Sequence, residues 1–320
     1  MSTNTIRWGL VGAGRIANTF VQDMTWVEHA KITAVAARSL NNARQFAAKH
    51  DIASAYEGYD TLFADPNIDA VYISTPHTLH FEQTRDALLA GKHVLCEKPF
   101  VVTPQQCETL TSLARDKGLF LMEAMWTWFL PAIKQAQRWV EQGRIGEITQ
   151  IQADFGYPIE YGPDKREWNV ELAGGCTFEM GIYPVALNRL FHRSDPVRMS
   201  VVGKRADNGA DKRINVLFDF DASSAVLGAS FESKLRNWAY IVGTQGYIAI
   251  PDFWRATTAE LYELDNCIDS FVDNRSGSGF EYQIQHTVDS ILNNKKESSV
   301  VTHADSLLFQ QDIQQILAAF

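Results

Sequence analysis

The feature that most constrains this chain lies near its start. An apolar run, residues 6–11, is followed at once by Gly12-Ala13-Gly14-Arg15-Ile16-Ala17, and residues 16–27 then carry helical spacing. A G-x-G-x-x-A stretch between a strand and a helix has a physical reading at each position. The first glycine permits a tight turn, the second lets a ligand approach the backbone, and the alanine lets helix and strand pack closely. The first N–H groups of the helix are left unpaired and point at whatever anion sits before them. The motif therefore predicts a doubly wound α/β domain that holds the pyrophosphate of a dinucleotide at Gly12, Gly14, Arg15 and Ile16.

The same rhythm continues through the first third of the chain. Strand-like runs at 31–37, 70–74, 93–96 and 120–123 alternate with helical patterns at 41–49, 81–89 and 104–117. Such alternation means a parallel sheet with helices on both faces, a Rossmann domain. After about residue 124 the pattern changes. A helix at 131–142 leads to strands near 148–155, and a second helix, 182–191, follows Gly174-Gly175. Strand-like runs at 197–204, 213–220, 225–231, 238–243 and 246–250 succeed one another with short turns, before helices at 282–292 and 306–319. Consecutive strands of this kind predict an α+β domain with a mainly antiparallel open sheet. The expected division is a Rossmann domain over 1–124 and a substrate and dimerisation domain over 125–320, in keeping with the usual domain size. The stretch Asn274-Arg275-Ser276-Gly277-Ser278-Gly279 reads as a mobile loop.

Composition removes several function classes. The formal net charge is −9, with no basic surplus of the kind nucleic-acid proteins carry. Cys96, Cys107, Cys176 and Cys267 form no C-x-x-C pair, so free thiols in a reducing compartment are expected. The histidines and cysteines show no metal-ligand spacing, and no metal is expected. No apolar run approaches the roughly 18 residues of a membrane span, and the polar start of the chain does not read as a signal peptide. The expectation is a cytoplasmic protein with a small-molecule substrate, and neither a nucleic-acid nor a membrane partner.

The end of the second strand selects the cofactor. A carboxylate there would bind the ribose 2′-hydroxyl of NAD, but the sequence reads Ala36-Ala37-Arg38-Ser39. Arg38 can hold a 2′-phosphate by charge-assisted hydrogen bonds, Ser39 adds a hydroxyl, and Arg15 adds a second cation. These residues predict NADP rather than NAD.

Further stretches carry a family resemblance. They are Ser74-Thr75-Pro76-His77-Thr78-Leu79-His80, Cys96-Glu97-Lys98-Pro99, Glu123-Ala124-Met125-Trp126-Thr127-Trp128-Phe129-Leu130-Pro131, and Glu179-Met180-Gly181-Ile182-Tyr183. Together with the glycine loop they make the chain resemble the glucose–fructose oxidoreductase / inositol dehydrogenase / rhizopine catabolism (Gfo/Idh/MocA) family. Within it, the chain is similar to the dimeric dihydrodiol dehydrogenase and NADP-dependent xylose dehydrogenase branch. The resemblance implies that Lys98 is the catalytic lysine, with Tyr183, Glu179 and His80 beside it. It implies that Glu97 lies near the cofactor ribose, and that Thr75 and Pro76 belong to the cofactor site. Glu179 stands where the family usually has aspartate, a difference of one methylene.

The residues support that chemistry on their own terms. Interconverting an alcohol and a carbonyl needs a hydride acceptor, here a nicotinamide, and a group that moves the hydroxyl proton. Lys98 lies just past the C-terminal end of a parallel strand, where open α/β sheets build their sites. Pro99 fixes its own φ and restricts Lys98 to an extended conformation. Glu179 and Tyr183, four apart, would share one face of a helix. Trp126, Phe155, Trp254 and Phe280 are candidate pocket walls and suit a cyclic polyol, a sugar or a dihydrodiol. Val216, Phe218 and Phe220 alternate with Leu217, and Phe231 is on the next strand; a sheet apolar on both faces predicts a homodimer through that sheet, as the resemblance also implies. Two other uses of the scaffold fit the same residues: a non-catalytic dinucleotide-sensing regulator, and a reductase of dicarbonyls or a tetrapyrrole.

Overall fold

The computed structural model describes residues 5–320. Its first sheet is built from β1 (Ile6–Val11), β2 (Ala30–Ala37), β3 (Ser54–Glu57), β4 (Ala70–Ile73), β5 (His93–Glu97) and β6 (Leu121–Ala124). They lie in the order β3-β2-β1-β4-β5-β6, with every pairing parallel. This is the strand order of a dinucleotide-binding Rossmann sheet, reversing direction between β1 and β4. The connections are α1 (Arg15–Asp23), α2 (Leu40–His50), α3 (Asp60–Ala64), α4 (His80–Leu89) and α5 (Pro104–Lys117). Because helices cover both faces, β4 is buried at every position, as the interior strand of a parallel sheet must be. Local signals set the helix ends. Thr103 caps α5 by accepting the Gln106 N–H at 3.3 Å, Pro104 occupies the first turn, and Gly118 closes it with φ +64.

The second sheet has eight strands: β7 (Ile148–Gly156), β8 (Arg198–Arg205), β9 (Asp211–Asp219), β10 (Ser224–Ser230), β11 (Ala239–Gly243), β12 (Tyr247–Ile250), β13 (Thr258–Glu263) and β14 (Asn266–Val272). Their order is β14-β13-β12-β11-β7-β10-β9-β8. All pairings are antiparallel except that of β7 with β10. In β9 Asp211, Ile214, Val216 and Phe218 are buried, while Asn215 and Leu217 face outward. The helices α6 (Pro131–Glu141) and α7 (Ile182–Phe191) belong to this part of the chain; α8 (Phe280–Leu292) and α9 (His303–Ala318) follow the sheet.

Several elements were not expected from sequence. β3 is a four-residue edge strand and β14 a largely exposed edge strand, so neither carries the apolar run that marks a buried strand. β13 has six residues, of which only Ala259 and Leu261 are buried. The division of the chain also differs from a single cut after residue 124. One compact unit runs to Trp126 and takes in Ser276–Leu307; the other comprises Thr127–Arg275 and Leu308–Phe320. The cause is local. Asp23, at the end of α1, is 2% exposed and accepts the N–H groups of Ser278 and Phe280 at 2.9 Å, which ties the start of α8 to the first unit. The segment read as a mobile loop is thus anchored, and Arg275 is likewise held in the second unit by Asp273 at 2.6 Å. Among the described residues no helix is long and apolar enough to cross a membrane.

Candidate active site

The glycine loop leaves β1 at the sheet's C-terminal edge. Gly12 has φ +106, and a Cβ there would meet the Ser74 hydroxyl at 3.0 Å and its carbonyl at 3.2 Å. Glycine is thus required by backbone and neighbour together. Gly14 is different: its φ is −90, and a Cβ would meet nothing within 4 Å. The chain's own packing does not demand that glycine, and the space before α1 is open. No side chain caps the α1 N-terminus and no acidic residue stands in its first turn. Free N–H groups facing open space fit a dinucleotide's pyrophosphate. Arg15 is exposed and Ile16 half-buried in the first turn.

At the end of β2, Arg38 is exposed. Ser39 is the N-cap of α2, yet its hydroxyl makes no cap hydrogen bond, so it is available to a ligand. The next carboxylate along the chain is Asp51. The surroundings therefore suit a 2′-phosphate better than a bare ribose.

Beyond β5, the backbone of Lys98–Phe100 is held by three polar side chains. Glu97 accepts the Lys98 N–H through Oε2 at 3.2 Å, while its Oε1 takes the Tyr72 hydroxyl at 2.5 Å. Tyr72 is itself stacked on Phe20, ring centroids 3.8 Å apart. His80 lies 2.9 Å from the Pro99 carbonyl through Nδ1 and 2.8 Å from the Thr75 carbonyl through Nε2. Glu123 accepts the Phe100 N–H through Oε1 at 2.9 Å. The Lys98–Pro99 peptide is cis. Thr75 donates to Gln83 at 2.5 Å, and Pro76 opens the short turn His77–Leu79.

His80 is the residue that the structure moves most from its expected role. Its side chain is fully buried and joins two stretches of backbone rather than lining open space. Burial pushes its pKa below the ordinary histidine value, against the two carbonyl contacts that oppose the change. A neutral ring has one N–H, so it donates to only one carbonyl at a time. Glu123 is the opposite case: burial pushes its carboxyl up to about 7, with the Glu97 charge adding and Ser306, the Phe100 N–H and Lys98 opposing.

The second unit carries its own group. A π-helical turn, Thr177–Gly181, runs into α7; such turns often mark functional sites. Its start is held by Asp211, whose Oδ2 accepts the Thr177 N–H and hydroxyl, both at 2.6 Å, and the Cys176 thiol at 3.2 Å. Gly175, φ +141, passes so close that a Cβ would fall 2.0 Å from Asp211 Oδ1. Glu179 is ion-paired with Arg166, Oε1 to Nη1 2.5 Å. Tyr183 stands edge-on to Phe155 at 5.3 Å, and Phe155 stacks on Trp254 at 4.9 Å. Thr127 donates to the Trp254 carbonyl at 2.7 Å, fixing that tryptophan's backbone.

The four candidate wall aromatics therefore form two pairs. Phe155 and Trp254 lie with Tyr183 in the second unit, while Trp126 and Phe280 pack at 4.8 Å in the first. Sequence reasoning missed Arg166, Asp211 and Glu123 as roles. Arg166 sits in the charged run Asp164-Lys165-Arg166-Glu167, which reads as a solvated loop. Glu123 did carry a signal: a carboxylate inside the apolar strand Leu121–Ala124, at the sheet's functional edge. Among the described residues no three His, Cys, Asp or Glu side chains are grouped to hold a metal ion.

With this geometry in view, comparison with known proteins gives a consistent result. The chain is 35% identical to the trans-1,2-dihydrobenzene-1,2-diol dehydrogenase of Mus musculus, over 97% of this chain and 95% of that protein. It is 32% identical to the enzyme of the same name from Homo sapiens, over 98% and 96%. Among solved structures, a 3-ketoreductase from Actinomadura kijaniata in complex with NADP and TDP-benzene superposes with a TM-score of 0.88 at 26% identity, covering 99% of this chain and 98% of that one. Residues 6–125 match an oxidoreductase family described as having an NAD-binding Rossmann fold, and residues 133–249 match the C-terminal domain that accompanies it. The chain belongs to the GFO/IDH/MocA oxidoreductase family.

Proposed function

We propose that the protein is an NADP-dependent dehydrogenase acting on a hydroxyl or carbonyl of a cyclic polyol, sugar or dihydrodiol, and that it works as a cytoplasmic homodimer. The observation that carries this reading is the Lys98 turn. A lysine stands at the C-terminal edge of the sheet that bears the glycine loop, and its backbone is fixed by Glu97, His80 and Glu123. The dehydrogenases of Mus musculus and Homo sapiens and the NADP-bound ketoreductase support the reaction class and the cofactor.

In this reading Gly12, Gly14, Arg15 and Ile16 receive the pyrophosphate, Arg38 and Ser39 the 2′-phosphate, and Thr75, Pro76 and Glu97 border the rest of the cofactor. When bound, the nicotinamide supplies hydride exchange. Lys98 accepts the hydroxyl proton in oxidation and returns it in reduction. Tyr183 hydrogen-bonds the substrate oxygen. Glu179, held by Arg166, presents an acceptor to a second substrate hydroxyl. Trp126, Phe155, Trp254 and Phe280 supply apolar surface to a ring. His80 acts through the backbone it joins. Residues 1–124 serve the cofactor and 125–320 the choice of substrate, apart from the stretch Ser276–Leu307 that packs with the first unit. The dimer reading rests on the outward face of the second sheet, where Val202, Leu217 and Val226 are 71%, 46% and 42% exposed. Apolar side chains grouped on one sheet face are a usual site of association.

The test is cofactor-linked absorbance on a panel of sugars, polyols, dihydrodiols and diketones, run in both directions. Lys98→Met should lower kcat by roughly 10²–10⁴-fold with NADP affinity kept. Lys98→Arg should not restore it, because arginine keeps its proton. A variant that retains more than about a tenth of wild-type turnover would overturn the role of Lys98. NADP binding without turnover of any panel member would favour the sensor reading, and turnover of diketones alone the dicarbonyl reductase.

A further inference from the structure

We propose that Asp211 is a positioning residue for the substrate side of the site: from the start of β9 its carboxylate anchors the π-helical turn Thr177–Gly181, and so sets where Glu179 and Tyr183 stand. The inference rests on the reading of those two residues as substrate contacts and goes beyond it by naming what holds them in place.

A helix that opens inside a protein leaves its first N–H groups without intrahelical acceptors, and each needs a partner. Cys176, the residue before the turn, supplies no side-chain cap. The acceptor comes from β9 instead. Oδ2 of Asp211 takes the Thr177 N–H and the Thr177 hydroxyl, both at 2.6 Å, and the Cys176 thiol at 3.2 Å. All three groups arrive as donors, which suits a carboxylate because it only accepts. Asp211 is 3% exposed, and Cys176 and Thr177 are fully buried, so water does not compete for these bonds.

The anchor reaches both sides of the turn. Gly175 runs so close to Asp211 Oδ1 that a side chain there would collide with it, and its φ of +141 suits glycine. From that position the Gly175 N–H donates to the Glu167 carbonyl at 2.9 Å, and the Gly175 carbonyl accepts the Glu179 N–H at 3.2 Å. Arg166, next to Glu167, pairs with the Glu179 carboxylate at 2.5 Å. Asp211 therefore fixes the backbone to which both members of that pair are tied.

The wide turn gives the anchor a directional effect. The Ile182 N–H closes it on the Thr177 carbonyl, five residues back, so Thr177 both receives the anchor and starts the turn. An α-helix rotates about 100° per residue. One residue gained or lost between Thr177 and Tyr183 would swing Tyr183 by about that angle. It would leave Phe155, to which it now stands edge-on at 5.3 Å.

The experiment compares wild type with Asp211→Ala, each with and without the paired replacements Glu179→Gln and Tyr183→Phe. In the otherwise native chain, Asp211→Ala should lower kcat/KM by roughly 10²-fold, the cost of misplacing a reacting constellation by about 1 Å. The NADP dissociation constant should not change, because the glycine loop, Arg38 and Glu97 belong to the first unit. In the chain that lacks both side-chain functions the same replacement should have little further effect. Losses that multiply across the two backgrounds overturn the proposal, since a clamp that only stabilises the fold acts alike in both. Hydrogen exchange gives a readout free of turnover: amides of residues 177–183 should lose protection in Asp211→Ala while those of β7 and β10 keep theirs. Unchanged protection at 177–183 also overturns it. Where Asp211→Ala does not fold, Thr177→Val takes its place in every arm, removing the Thr177 hydroxyl and leaving the carboxylate two donors. If protection is lost as expected but wild type turns over no member of the panel, the dehydrogenase reading has failed while the anchoring stands.

Discussion

Replacing Glu123 with glutamine should change how the stability of the first unit depends on pH. An ordinary glutamate ionises near 4.5, whereas burial raises this one to about 7. A group whose folded-state value is raised contributes stability in full below its unfolded value and loses it as pH climbs through the folded one. At about 1.4 kcal/mol per tenfold change in proton affinity, the gap amounts to about 3 kcal/mol once titration is complete. Part of this is already lost at mildly acid pH, where an unfolded chain would have ionised. About 2 kcal/mol should disappear between pH 5.5 and pH 9. Glutamine has no proton to lose, so wild type should weaken by that amount relative to Glu123→Gln over the range. Taking the difference cancels the other titrating groups, among them His93 and Glu281 in the same unit. The assay is chemical unfolding at three pH values, read by pulse-labelled amides of β5 and β6 so that the first unit is reported by itself. A difference between the two proteins that stays within about 0.5 kcal/mol throughout, the size of an ordinary surface substitution, would refute the reasoning.

Three further outcomes are expected. Arg38→Ala should weaken NADP binding selectively, by about 1.5–3 kcal/mol for a lost charge-assisted contact, while leaving NAD binding nearly unchanged; titration calorimetry with both cofactors checks it. In the second unit Arg189 and Asp312, whose side chains are 3% and 2% exposed, are paired through Nη2 and Oδ1 at 2.6 Å. Asp312→Ala should destabilise by about 3–5 kcal/mol because it strands a buried guanidinium. Asp195→Ala removes a partner of the same arginine whose side chain is 80% exposed, and should cost less than about 1 kcal/mol in urea unfolding. Light scattering should show a dimer at micromolar concentration, with Leu217→Lys shifting it toward the 36.0 kDa monomer.

Much of the first unit was legible in the sequence because its signals are local. The glycine loop, the apolar runs of β1, β2, β4 and β5, and the Thr103, Pro104 and Gly118 signals of α5 each arise from neighbours along the chain. So do the absence of a carboxylate after β2 and the lysine past β5, which point to cofactor and chemistry by residue type and position in the chain. The second sheet was legible as a run of strands but not in its membership. β13 and β14 are short or exposed, and the burial that defines them is conferred by neighbouring strands.

The roles of polar side chains were decided by tertiary structure. His80 and Glu123 occupy motif positions, but only the packing of α4 and β6 around the Lys98 turn shows that one faces the Pro99 carbonyl and the other the Phe100 N–H. Glu179 could be singled out from its spacing to Tyr183, yet its partner Arg166 is 13 residues upstream in a charged loop, and nothing in that run marks it. The return of Ser276–Leu307 to the first unit depends on Asp23, some 255 residues away from Ser278. Periodicity and capping are properties of consecutive residues, so a sequence displays them directly. A buried hydrogen bond or ion pair joins residues that become neighbours only once the chain has folded, and its effect on charge depends on how much water the fold removes.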